Sequence, residues 1–141
     1  MSDHESPGVA GNVRVLLRLE GLLLFTGALL LYAHAGGSWM LFAALILVPD
    51  LSFAFYLFGA RAGAAAYNAM HMTVGPIVLA LASQLDLAQY GLASAHLFLP
   101  VALIWFAHVG FDRALGYGLK YASGFGDTHL GAIGKKRHQL A

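Results

Sequence analysis

Residues 39–82 read WMLFAALILVPDLSFAFYLFGARAGAAAYNAMHMTVGPIVLALA, two apolar runs of about 20 residues each, hinged on a single cation, Arg61. Runs of that length are long enough to cross a bilayer as helices, and the short turn GARAG, with Gly59 and Gly63, predicts antiparallel neighbours. Each run carries polar groups where a span tolerates them least. Asp50, preceded by Pro49, stands in the first, and Asn68 and His71 stand in the second. Asp50 and His71 lie 11 and 10 residues from Arg61, which is about 15 Å along a helix axis. Both therefore reach mid-membrane at matching depth.

Outward from this pair, two further apolar runs cover 15–33 and 92–115. The prediction is an all-α membrane protein, an antiparallel bundle of four transmembrane helices spanning 14–119. Residues 1–13 read as a disordered, polar N-terminal tail without the basic start of a signal peptide, so the first run is not expected to be cleaved. Residues 120–141 read as a basic, glycine-rich C-terminal tail or lid. In the 141-residue chain 59% of side chains are hydrophobic and 11% charged, with no cysteine. That excludes a large soluble catalytic domain, disulfides and thiolate chemistry. A formal net charge of +1, with the aromatics inside apolar runs, excludes a nucleic-acid interface.

The cations set an expected orientation. Arg14 and Arg18 precede the first run, Arg61 separates the second from the third, and Arg113, Lys120, Lys135, Lys136 and Arg137 lie at or beyond the end of the fourth. Lys and Arg flanking spans stay on the cytoplasmic side, so both termini are predicted inside the bacterial inner membrane, with Tyr32, Trp39 and Tyr90 near the opposite interface.

Polar residues inside spans are costly, about 2.5–3.5 kcal/mol for an Asp at a helix centre, and by default mark function. Glu20, Asp50, Asn68, His71, His108 and Asp112 make up this set. His108 and Asp112 are four apart and share a helix face. Counted back from Lys120, they lie about 18 and 12 Å deep. With Asp50 and His71 they form a predicted set of four metal ligands, opening toward the cytoplasm, since bundles build metal sites from inward side chains of several helices. Carboxylate mixed with imidazole suits a divalent Zn, Mn or Fe ion. Pro49 is expected to disturb the helix beside Asp50 by removing a backbone hydrogen bond. Structural readings stand beside these. Asp50 can pair with Arg18 or Asn68, His71 can be a core histidine, Asp112 can form an interfacial pair with Arg113, and Glu20 can neutralise Arg61 or Arg113. His34 and His96, near the outer ends of spans, read as wet and non-functional, and Gly63 to Ala66 as a surface for close helix approach.

The segments VRVLLRLEGLLLF, LVPDLSFAFYL, AAYNAMH, AHVGFDRALGYGLKY and GFGDTHLG, in this order, resemble the bacterial membrane family known as domain of unknown function 4260. The resemblance covers nearly the whole chain after the first dozen residues. It implies a small four-span bacterial protein whose polar set includes Arg18, Glu20, Asp50, Asn68, His71, His108, Asp112, Arg113, Asp127 and His129, and it supplies no activity.

The function expected first is a metal-assisted hydrolase or lipid-modifying enzyme taking a lipid or other amphipathic substrate from the inner leaflet. In that reading Glu20 is the general base, Asp127 and His129 complete the catalytic set if the tail folds under the bundle, and Arg18, Asn68 and Arg113 bind cofactor. Asp127 can instead cap a turn in a solvated loop. The alternative is a proton-coupled small-molecule or ion carrier using Glu20, Asp50 and His71, acting as a homodimer. A third option is haem held between His71 and His108.

Overall fold

The computed structural model describes residues 8–85, 87–92 and 96–134. The polar start of the N-terminal tail and the cations Lys135, Lys136 and Arg137 lie outside the described residues. The described residues form five α-helices: α1 (Gly11–His34), α2 (Trp39–Leu45), α3 (Ala60–His71), α4 (Val74–Ala82) and α5 (Phe98–Leu115). A 3₁₀ helix, Val48–Phe58, follows α2. Together they make four helical segments long and apolar enough to cross a membrane: Gly11–His34, Trp39–Phe58, Ala60–Ala82 and Phe98–Leu115. Large apolar side chains face outward on them, among them Leu23, Leu30, Leu51, Leu57 and Leu81, as a bilayer solvent requires.

Three prolines explain where the helices stop. Proline lacks an amide hydrogen and its ring clashes with the carbonyl four residues earlier. The residues four before Pro49, Pro76 and Pro100 are Leu45, Met72 and His96. Helix α2 ends at Leu45, α3 gives way at Met72, whose ψ is 156°, and α5 starts only at Phe98. The fourth span thus begins later than the sequence run from 92 suggested, because Pro100 fits only in a first turn. From Val48 the chain continues, through Pro49, as a 3₁₀ helix of 11 residues, unusual because such runs seldom exceed four. Ser52 supports it by donating its hydroxyl to the Pro49 carbonyl at 2.6 Å.

Helix α1 lies along α5, the 3₁₀ helix along α3, and α4 along α5. The α1/α5 crossing depends on glycine. A Cβ at Gly110 would sit 2.5 Å from the Phe25 amide nitrogen, and one at Gly21 would sit 2.6 Å from the Arg113 Cβ. At the other end Tyr32, fully buried, donates its hydroxyl to the Ser38 carbonyl and closes the turn into α2.

After α5, Gly116 takes a left-handed conformation (φ 94°) and the Tyr117 amide caps the Asp112 carbonyl, a glycine-terminated helix end. The chain then folds back. Lys120 forms an antiparallel bridge with Thr128, the His129 amide donates to the Leu119 carbonyl and the Tyr121 amide to that of Asp127. Val9, just ahead of α1, donates to the His129 carbonyl. Among the described residues there is no strand beyond this single bridge.

Candidate metal centre

The site forms where the two interrupted spans meet α5. Asp50 stands in the first turn of the 3₁₀ helix, His71 is the last residue of α3, and His108 and Asp112 share one face of α5. Their ligand atoms all lie within 4.8 Å of one another. His71 Nε2 is 3.0 Å from His108 Nε2, 3.3 Å from Asp50 Oδ1 and 3.5 Å from Asp112 Oδ2. His108 Nε2 is 3.5 Å from Asp50 Oδ1 and 3.9 Å from Asp112 Oδ2. Four ligands at about 2.0–2.1 Å around one tetrahedral ion would be about 3.3 Å apart. The separations bracket that value.

The surroundings orient the donors toward one point. His71 Nδ1 is 2.8 Å from the Tyr67 carbonyl; a carbonyl only accepts, so Nδ1 carries the proton and Nε2 presents its lone pair. Metal-binding histidines are commonly fixed in this way. Tyr67 stacks on the His71 ring at 3.7 Å and donates its hydroxyl to Asp112 Oδ2 at 3.2 Å. Both histidines are buried, whereas the Asp50 side chain keeps 35% exposure.

That exposure opens on a pocket of about 310 Å³ lined by Asp50, Asp112, Tyr67, Lys120 and the apolar side chains of Phe53, Tyr117, Phe125 and Ile133. The folded-back segment supplies much of the wall, and Asn68 holds it there. The Asn68 side chain donates to the Lys120 carbonyl at 2.8 Å and accepts from the Lys120 amide at 2.7 Å. Lys120 is itself buried. Its ammonium donates to the Phe125 carbonyl at 2.9 Å and lies 3.9 Å from the Phe125 ring centre and 4.8 Å from that of Tyr67. Burial draws this ammonium below the ordinary lysine range, and the Asp112 carboxylate acts against that shift.

The other residues singled out in the sequence have different surroundings. Glu20 is exposed on α1, outside the four-residue cluster. Arg18 donates to the Ala114 carbonyl in the last turn of α5 at 2.8 Å, where a cation suits the helix C-terminus. Arg113 packs against Gly21. The Asp127 carboxylate accepts from the Ser123 hydroxyl at 2.8 Å, and His129 Nδ1 accepts from the Leu119 amide at 2.8 Å. Tyr67, Phe53 and Phe125 were not singled out, and Lys120 only as a boundary cation. Tyr67 carries a readable signal, since it sits four residues before His71 on the same helix. The aromatic wall around Lys120 depends on the chain reversal, which no local pattern encodes.

The family model for the domain of unknown function DUF4260 matches residues 14–133. The chain belongs to the DUF4260 family. In this member of DUF4260 all four cluster residues, Asn68 and Lys120 fall inside the matched region. No curated protein and no solved structure is similar enough to the chain to count as a match.

Proposed function

We propose that this DUF4260 protein is an inner-membrane, metal-dependent hydrolase that cleaves an ester or phosphoester of an amphipathic substrate drawn from the inner leaflet. The observation that carries the reading is the set of two buried imidazoles and two partly exposed carboxylates with ligand atoms within 4.8 Å of one another, beside a pocket. A divalent Zn, Mn or Fe ion held by Asp50, His71, His108 and Asp112, with a further coordination position left for water, would polarise a carbonyl or phosphoryl oxygen and acidify that water. The 3.0 Å between the histidine Nε2 atoms favours one small ion over haem, whose macrocycle needs an open slot between its two axial rings. Proton transfer falls in this reading to the carboxylates lining the pocket, Asp50 being the more exposed of the two. Residues 120–134 act as a fixed wall of the site.

Elemental analysis of protein purified in detergent without chelators tests the metal. One divalent ion per chain is expected. Asp50→Asn and His71→Ala should each lower occupancy at least a hundredfold at limiting metal, whereas His34→Ala leaves it unchanged. Binding should weaken as pH falls, because the ligands must be deprotonated. Protein that stays metal-free with added ions sinks the reading. Glu20→Gln decides the base: retained metal with abolished turnover returns that role to Glu20, and full activity leaves it in the pocket.

The same proposal has an antiparallel bundle with both termini cytoplasmic, supported by the one-sided cations. Single cysteines replacing Ser38 and Ser123 in the cysteine-free chain test it. An impermeant thiol reagent applied to intact cells should label the first and spare the second; equal labelling discards the orientation.

A carrier is the second reading, favoured by one observation: both central spans are interrupted beside Asp50 and His71, as in transporters whose broken helices form mid-membrane sites. Flux driven by a pH gradient in vesicles, lost in Asp50→Asn, would replace the enzyme with the carrier.

A further inference from the structure

Lys120 has no assigned part in metal binding, yet it is a charged group buried to 5% exposure beside two carboxylates. Such burial is expensive unless the charge is compensated. Among the described residues its ammonium has one hydrogen-bond acceptor, the Phe125 carbonyl, and three aromatic faces, those of Phe125, Tyr67 and Phe53. An ammonium has three donors, so two remain for the pocket. Without metal, Asp50 and Asp112 line the pocket with Lys120, two carboxylates to one ammonium. A divalent ion on neutral histidines neutralises both carboxylates by itself. Lys120 is then left as an uncompensated positive charge in a low-dielectric place, next to a Lewis acid.

We propose that Lys120 and the metal centre together form an oxyanion subsite that takes the phosphate group of a phosphoester, with Phe53, Phe125, Tyr117 and Ile133 accepting the apolar part attached to it. The inference rests on the metal reading above and adds the substrate class. A pocket of about 310 Å³ holds such a head and the first carbons of a chain, and its lining sets the cation against aromatic faces. The phosphate can belong to a lipid or to a soluble phosphoester; both present the same oxygens to Lys120.

The experiment uses the full chain loaded with Co²⁺, whose visible absorption reports its ligands, titrated with inorganic phosphate, dodecyl phosphate and neutral trimethyl phosphate. In the wild type both anions should shift the cobalt band and trimethyl phosphate should not. A tenfold or greater preference for dodecyl over inorganic phosphate points to a lipid source, and equal potency to a soluble one. Lys120→Gln should bind Co²⁺ as tightly as the wild type or more so, because a repelling cation is gone, while phosphate affinity falls at least tenfold. Absence of any cobalt band overturns the metal reading. A cobalt band that phosphate leaves unmoved in the wild type, or moves equally in Lys120→Gln, overturns the anion subsite alone. The wild-type titration decides even if the variant does not fold.

Discussion

The outer pair of spans and the central pair solve different problems with similarly apolar sequence. Gly11–His34 and Phe98–Leu115 are unbroken α-helices that approach closely through Gly21 and Gly110. Trp39–Phe58 and Ala60–Ala82 are each interrupted, at Leu45 to Val48 and at Met72 to Thr73. Continuity gives a rigid reference, and α5 uses it to present His108 and Asp112 at fixed spacing. Interruption lets Asp50 and His71 leave a regular helical face and converge on that reference. A break also frees backbone groups that a membrane leaves without water. Trp105 answers one of them, donating its indole N–H to the Met70 carbonyl at 2.6 Å, and Gly75 leaves room for the ring. The lesson is a division of labour: unbroken helices fix the frame, and proline-terminated ones aim the ligands.

Breaking the frame should cost most. In Gly110→Val the new Cβ meets the Phe25 amide nitrogen at 2.5 Å and the Gly21 carbonyl oxygen at 2.8 Å. Both are backbone atoms, so α1 and α5 must separate. The expected loss is about 1–3 kcal/mol of bundle stability, as for other overpacked contacts. Thermal unfolding in detergent checks it, with metal lost only as the fold is lost. His71→Ala, on the interrupted side, should do the opposite and empty the site while metal-free stability changes far less. Equal collapse of both variants would erase the distinction between frame and site.

A smaller effect is expected where the two kinds of region are tied together. Asn68 on α3 satisfies both the amide and the carbonyl of Lys120. Asn68→Ala removes both bonds, and water from the adjoining pocket can replace part of them, so the expected loss is about 1.5 kcal/mol. Hydrogen exchange at the Lys120 amide should therefore accelerate tenfold or more, while amides in α1 and α5 keep their protection. Unchanged exchange at Lys120 would mean that the folded-back segment holds itself in place.

The four spans and the four-residue cluster were legible because both obey short-range rules. Apolar run length gives the spans, and depth counted from Arg61 and Lys120 gives Asp50, His71, His108 and Asp112 a common level. The break beside Asp50 was readable from Pro49. That at Met72 was equally readable from Pro76 and was passed over, because the run AAYNAMHMTVGPIVLALA is apolar throughout and suggests one helix. The surroundings of Lys120, Asp127 and His129 were not legible. They depend on a reversal between Gly116 and Leu130 that is held by long-range backbone pairing and by Asn68. Charge alone placed Lys120 at the membrane surface; the fold buries it among rings contributed by three separate segments.

The smallest expected effect concerns this folded-back segment and pH. His129 is pushed below the ordinary histidine value of 6.5, first by burial and then by the positive charge of Arg113. Its Nδ1 accepts the Leu119 amide, a role open only to an unprotonated nitrogen. The docked segment therefore binds fewer protons than the undocked one in the window below 6.5, and linkage makes docking weaker as pH falls. The stabilisation is complete above that value and is lost as pH drops through the depressed folded one. Hydrogen exchange at the Leu119 amide, corrected for intrinsic rates and followed from pH 7.5 to 5, should lose protection severalfold. In His129→Gln the side-chain carbonyl can still accept the amide without titrating, so protection there should stay level across the range. Any protonation of the Asp50, His71, His108 and Asp112 cluster is common to both proteins, so the difference between them isolates His129. A parallel loss of protection in the glutamine variant would assign the pH response to the metal ligands and leave His129 as a neutral spacer.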